Sequence, residues 1–469
     1  MAVSSQLTAF FHQMENLGGV VVREQPKLDL DLYIQNYDGP TRFERLLLIG
    51  KCCVPLSVDA LKAAIVESKK GRNVSQYREA WECIRIAAPN EPEAARDDAW
   101  IDKTEAANKA ETARLESELK SYRHNLIKES IRMGNEDLGR HFESIGKLNE
   151  AIEAYGRMRQ DVSTTKQIID GGMRLVNVCL QRRDWSLAMN NVGKITGIQG
   201  ENEKSLQAFA KVVSGVALLG LGHFGEAAKN FLQINFVVPS SEYRHIISAN
   251  DIAIYGGLLA LATMDRKELQ ARVLENQSFR TFLEHEPHIR KAISLFVNGR
   301  YSSCLSILES VRTDYLLDIY LQKHIPAIYT RIRTKCIVQY FIPFSCVTLE
   351  SLDTAFAQPG QTVHKELVTM IRDGELRARI DAKNKLLVAV RPDPRLEMQK
   401  NALDVARAYE KEAKERLRRI SIIAAGLDIP ATKKQNYTTA GAQEADEAWY
   451  GDEGNWPAAT HHTTEAESH

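Results

Sequence analysis

A small residue recurs down the middle of this 469-residue chain at a spacing that fixes most of what the chain can become. Ala151 in GKLNEAIEAY, Ala188 in RDWSLAMNNV and Ala227 in GHFGEAAKNF lie 37 and 39 residues apart, and Cys304 in GRYSSCLSIL takes the same role later. Each follows a turn and then, three residues earlier, an aromatic or leucine: Leu148, Trp185, Phe224 or Tyr301. A period slightly above the ~34 residues of a tetratricopeptide repeat predicts stacked helical hairpins, because one hairpin alone cannot bury its apolar face. Such stacks form extended curved surfaces, which suit a scaffold better than a catalytic pocket.

The stretch GNEDLGRHFESIGKLNEAIEAYGRM, Gly134 to Met158, shows how one hairpin is built. Paired helices touch where side chains are smallest, so Gly139 and Ala151 are expected at the contact, with Phe142 and Tyr155 filling the wedge where the helices splay. Gly146, free of a Cβ, is the expected left-handed residue ending the first helix. Asn135 reads as an N-cap, with Glu136 and Asp137 in the first turn. Gly171 and Gly256, inside helical patterns, read as close-packing positions. Upstream, residues 97–134 read as one long helix with Trp100, Ala107, Leu115, Leu119, Tyr122 and Leu126 on a stripe, ended by Gly134. TRFERLLLIGKC, SVDALKAAIVESKK and VSQYREAWECIRIAA read as shorter amphipathic helices, irregular leading repeats.

Past residue 315 the pattern changes. LESLDTAF reads as a short helix, QPGQ as a break, and TVHKELVTMIRDG as a second helix; LRARIDAKNKLLVAV alternates as two strands around a turn at Asn384. Helix, turn, helix and β-wing make a winged helix. The second helix sets Lys365 and Arg372 against Glu366 and Asp373, whereas groove-reading helices concentrate Lys and Arg. Protein docking is therefore favoured over nucleic-acid binding, with Leu386, Leu387, Val388 and Val390 read as a sheet edge able to accept a partner strand. A last helix, about Pro394 to Gly426, repeats Leu403, Ala406, Tyr409, Ala413, Leu417, Ile420 and Ala424 at three- and four-residue steps. A stripe this long requires another helix, either from its own chain or in an intermolecular bundle.

Charge and chemistry narrow the function. Lys+Arg and Asp+Glu number 61 each, so no net field steers the chain toward nucleic acid or an anionic membrane. The opening MAVSSQLTAFFHQ lacks a basic n-region, and GVALLGLG and YGGLLALATM fall short of the ~20 residues of a membrane span. Seven scattered cysteines without a CxxC read as reduced thiols. His285 and His288 in HEPH are not at zinc-helix spacing, His461 and His462 lie in the tail, and no phosphate loop, GxGxxG after a strand or GxSxG occurs. No catalytic residue, metal or cofactor is expected.

Helical repeats leading into a winged helix resemble the PCI architecture shared by the proteasome lid, the signalosome and an initiation-factor complex. LDLDLYIQNYDGPTRFERLLLIG, HNLIKESIRMGNEDLGRHFESIG, QRRDWSLAMNNVGK and the winged-helix stretch are similar to the subunit 1 family of the COP-nine signalosome. The resemblance covers roughly residues 28 to 425. It implies a non-catalytic subunit of an assembly that removes Nedd8 from cullins, whose isopeptidase zinc site belongs to another subunit. It also implies winged helices joined edge to edge, C-terminal helices in a shared bundle, subunits 2 and 3 as neighbours, indirect engagement of cullin-RING ligases, and residence in nucleus and cytoplasm. The related proteasome-lid subunit is the alternative of the same architecture.

The expected fold is thus mainly α: a right-handed superhelix of TPR-like hairpins, a winged-helix (PCI) domain and a C-terminal helix. Residues 1–27 form an N-terminal segment whose order the sequence leaves open, 28–132 the N-terminal and long connecting helices, and 133–315 the repeats. Residues 316–392 form the PCI winged-helix region, 393–426 the bundle helix, and 427–469 an acidic tail without periodicity, expected to be disordered. In it AWYGDEGNW reads as solvated chain or a short docking motif.

Overall fold

The computed structural model describes residues 5–198, 203–236, 243–357, 362–390 and 394–427, so the tail beyond Leu427, AWYGDEGNW included, lies outside the described residues. The chain divides into two compact units, Met1–Val390 and Arg391–His469. The first is mainly α with a small sheet near its end.

The recurring small residue marks the second helix of each hairpin. The pairs are Lys128–Ser144 with Leu148–Met158, Thr165–Gln181 with Trp185–Thr196, Glu203–Leu221 with Phe224–Leu232, and Pro287–Val297 with Tyr301–Tyr315. In all four the leucine or aromatic is the first helical residue, and Ala151, Ala188, Ala227 and Cys304 are fully buried. A left-handed residue stands two positions before each opening residue: Gly146 (φ 81°), Arg183 (φ 62°), Gly222 (φ 82°) and Gly299 (φ 77°). The next N–H then reaches back to an otherwise orphaned carbonyl, as Lys147 does to Phe142 (2.9 Å) and Asp184 to Cys179 (2.9 Å). Arg183 takes a conformation that costs a non-glycine residue roughly 1–2 kcal/mol. Its guanidinium is held by Glu44 at 2.6 Å and lies over the Tyr320 ring at 4.7 Å. Gly139 meets its expected role, since a Cβ there would stand 2.6 Å from the Tyr155 ring. Gly171 and Gly256 likewise pack against Met158 and Phe279.

Around this hairpin the structure departs from the expectation. The long helix ends at His124; Asn125–Ile127 turn the chain, with Leu126 at φ 54°, and a new helix starts at Lys128. The turn folds Lys128–Ser144 back so that Gly134 faces Leu119 and Tyr122. Gly134 is therefore a contact inside a helix rather than its end. Asn135 caps nothing: it is buried mid-helix and donates its amide to the Ile131 carbonyl at 2.9 Å. Glu136 pairs with Arg132, Arg140 and Arg174.

Part of the N-terminal segment is helical. A helix over Ser5–Asn16 buries Leu7, Phe10 and Phe11 in a cluster with Leu46, Leu61, Tyr77 and Ile84 from the next helices. Among the described helices, the window Lys204–Leu221 is long and apolar enough to cross a membrane, with mean hydropathy 1.2 over 18 residues. Its Phe209, Val212, Val213 and Val216 are wholly buried in the repeat core, so it is a core helix.

The winged helix has three strands where the sequence suggests two. Strand β1 is Cys346–Thr348, β2 Ala378–Asp381 and β3 Leu386–Ala389. All pairs are antiparallel and the order is β1-β3-β2. Helices Leu349–Phe356 and His364–Arg372 bury Leu352, Phe356, Leu367 and Met370, and Val347, Ala378 and Leu387 from the strands join the same core. The second unit holds one described helix, Pro394–Ala424, followed by Gly426 at φ 67°.

Candidate interaction surfaces

The helix Pro394–Ala424 carries most of the residues selected from the sequence. Leu403, Tyr409, Leu417 and Ile420 are between 58% and 74% exposed, and Ala413 is half-buried. On a soluble amphipathic helix the apolar stripe is the face that packs; here it faces solvent along most of 31 residues. Its two margins are knitted by i,i+4 pairs, Lys414 to Glu410 and Arg416 to Glu412, both 2.6 Å. Such exposed pairs add only a few tenths of a kcal/mol each. Helix formation needs no partner at that face; the stripe does.

The strand reading requires correction. Leu386–Ala389 is the middle strand, bonded to β1 on one side and β2 on the other, so its backbone cannot accept a partner strand. The free edges belong to β1 and β2. Leu387 points into the core and is fully buried, Leu386 is half-buried, and Val388 (39%) and Val390 (38%) are exposed on the outer face. The three-residue β1 is too short for periodicity to reveal, and it alone turns β3 from edge to centre.

Sequence reasoning missed a fully buried ionic clasp. Arg45 is 0% exposed and bridges Asp251 (2.9 Å) and Asp318 (2.7 Å), residues 206 and 273 positions away. Tyr33 accepts from the guanidinium, Tyr37 stacks on it at 3.9 Å and donates to Asp251 at 2.8 Å, and Tyr255 donates to Asp318 at 2.7 Å. Burial alone would depress the Arg45 pKa, but Asp251, the tyrosines and Asp318 hold it well above its ordinary value, so the guanidinium stays charged. Nearby, the Lys27 N–H donates to Asp314 (2.9 Å), Arg244 donates to the Gln35 carbonyl (2.6 Å) and Thr41 to the His245 carbonyl (2.5 Å). Arg45, Tyr33 and Tyr37 of the clasp lie within LDLDLYIQNYDGPTRFERLLLIG, where Asp29 caps a short helix that sets Tyr33 toward Arg45. Three tyrosines and two acids around one arginine leave no local spacing, so only the fold assembles them.

HEPH is a helix junction: His285 ends one helix and Pro287 opens the next. His288 contacts the Tyr315 hydroxyl at 2.6 Å and Glu286 at 3.2 Å. Burial raises the Glu286 carboxyl to about 7 despite a hydrogen bond from Asn250. Among the described residues no group of three or more His, Cys, Asp or Glu is arranged to hold a metal ion.

With this geometry in view, comparison with known proteins is decisive. The family described as 26S proteasome subunit RPN7 matches residues 97–272, and the PCI domain matches residues 308–391. A protein of Neurospora crassa named COP9 signalosome complex subunit 1 is 49% identical over 91% of this chain and 94% of its own length. The chain belongs to the COP9 signalosome subunit 1 family. The Arabidopsis thaliana member is 36% identical over 84% of this chain and 90% of its own. A 26S proteasome non-ATPase regulatory subunit 6 from Oryza sativa is 22% identical over 61% of this chain. Signalosome subunit 1 relatives therefore match over most of this chain, and the lid alternative is the more distant relation.

Proposed function

We propose that this chain is a non-catalytic scaffold subunit of a COP9 signalosome and supports removal of Nedd8 from the cullins of cullin-RING ligases. Its work is assembly: the isopeptidase is a different subunit of the same complex, subunits 2 and 3 are the PCI neighbours, and cullin-RING ligases are engaged indirectly. The reading carries no nucleic-acid or membrane role and puts the protein in both nucleus and cytoplasm.

The observation that carries it is the exposed stripe of Pro394–Ala424. Leu403, Tyr409, Ala413, Leu417 and Ile420 supply an apolar face that pays its way only inside a bundle of partner helices. In edge-to-edge joining of winged helices, the open backbone edges are those of β1 and β2, with Leu386, Leu387, Val388 and Val390 behind them.

Leu417→Asp tests the reading. The isolated variant keeps its helical signal and melting temperature, yet fails to co-elute with the other subunits in reconstitution. Co-elution of the variant at parental stoichiometry rules out the bundle. Mass spectrometry of chains purified with the parent separates the assemblies: signalosome subunits support the reading, and proteasome base ATPases overturn it.

A further inference from the structure

The outer face of the winged-helix sheet is a small grid with two chemistries. Antiparallel register sets Cys346 beside Val388 and Val388 beside Arg379. Two residues along, alternation sets Phe344, Val390 and Arg377 on the same face, joined by the Ala389-to-Ser345 (2.8 Å) and Val390-to-Arg377 (3.0 Å) backbone bonds. All six are exposed, opposite the buried Val347, Leu387 and Ala378. The β1 and β3 columns are thus apolar and the β2 column cationic. Neither arginine enters an ion pair among the described residues. The next acid in the column, Asp381, accepts from the Lys383 and Asn384 N–H groups at 3.0 and 3.2 Å.

We propose that this face docks an acidic amphipathic helix of a partner chain. With strands ~4.8 Å apart, three strands span about 10 Å, close to the diameter of one α-helix. An apolar stripe at i, i+3, i+4 and i+7 covers Phe344, Cys346, Val388 and Val390, while Asp or Glu along one margin meets Arg377 and Arg379. Nucleic acid fits less well, because phosphates gain nothing from the valine column. The patch is far smaller than the ~800 Å² per partner of a stable interface, so it serves as a second contact for a chain already held elsewhere. The inference rests on the reading of the chain as an assembly subunit. It concerns the sheet face, not the strand edges.

Cys346 is the reporter, being exposed while the other six cysteines are buried. Its maleimide labelling rate is followed in the full chain with a 20-residue helical peptide carrying leucines at i, i+3, i+4 and i+7 edged by glutamate, and with the same peptide edged by lysine. The acidic peptide at millimolar concentration slows labelling about threefold, as fits a weak second contact, and the lysine peptide does not. In Arg377→Glu/Arg379→Glu the preference reverses, and Val388→Asp abolishes protection by both. No protection, equal protection by both peptides, or protection by a 20-base-pair DNA duplex instead overturns the proposal. Because the probe is a free peptide, its outcome is independent of whether Leu417→Asp leaves the assembly.

Discussion

Two regions treat their chemistry in opposite ways. Around Arg45 the ion pairs close inside the chain: a buried cation, two carboxylates and three tyrosines bind one another, and only the guanidinium Nε finds no partner among the described residues. Along Pro394–Ala424 the polar pairs close locally and the apolar stripe is left open. The first region spends interaction on holding distant parts of one polypeptide together. The second reserves it for another molecule. Stability and assembly should therefore respond to different substitutions.

The largest effect on folding is expected at the clasp. Arg45→Met leaves two buried carboxylates without a cation, and removing one partner of such a pair costs about 3–5 kcal/mol. Chemical denaturation should show that loss, and an unchanged midpoint would erase the contrast. Ala151→Trp comes next, because overpacking a closed hairpin contact costs about 1–3 kcal/mol and lowers the melting temperature. A third test sharpens the contrast through pH. Glu286 is raised by burial from 4.5 to about 7, so the folded state favours its neutral form. Its contribution is full below pH 4.5 and is lost as pH rises through about 7. Glu286→Gln, always neutral, should match the parent near pH 4.5 and exceed it by about 3 kcal/mol at pH 8. Parallel pH profiles would show that Glu286 is solvated. The smallest folding effect belongs to Leu417→Asp, within about 0.5 kcal/mol of the parent as for other exposed positions. A large loss there would show that the stripe is already satisfied within the chain.

The hairpins were readable because their determinants are local. A left-handed residue, an aromatic or leucine two positions later and a small residue three beyond that lie within one turn and one helical face. The C-terminal stripe was readable for the same reason. Residues 125–127 hid because Leu126 sits in a conformation that glycine ordinarily marks, while the apolar stripe runs on through it. Asn135 misled because its amide has two uses, capping a helix start or bonding a carbonyl four residues back, and composition favours the first. The middle position of β3 and the partners of Arg45 were beyond reach, since both depend on pairings far along the chain. What LDLDLYIQNYDGPTRFERLLLIG did reveal was likeness to a family.

The 273-residue gap between Arg45 and Asp318 also sets an order of events on the ribosome. At 5–20 residues per second, roughly 14–55 s pass after Arg45 is made before its last counter-charge exists. Throughout that interval the helix that carries Arg45 lacks its full set of counter-charges, and the contact that ties it to Asp318 waits on chain not yet made.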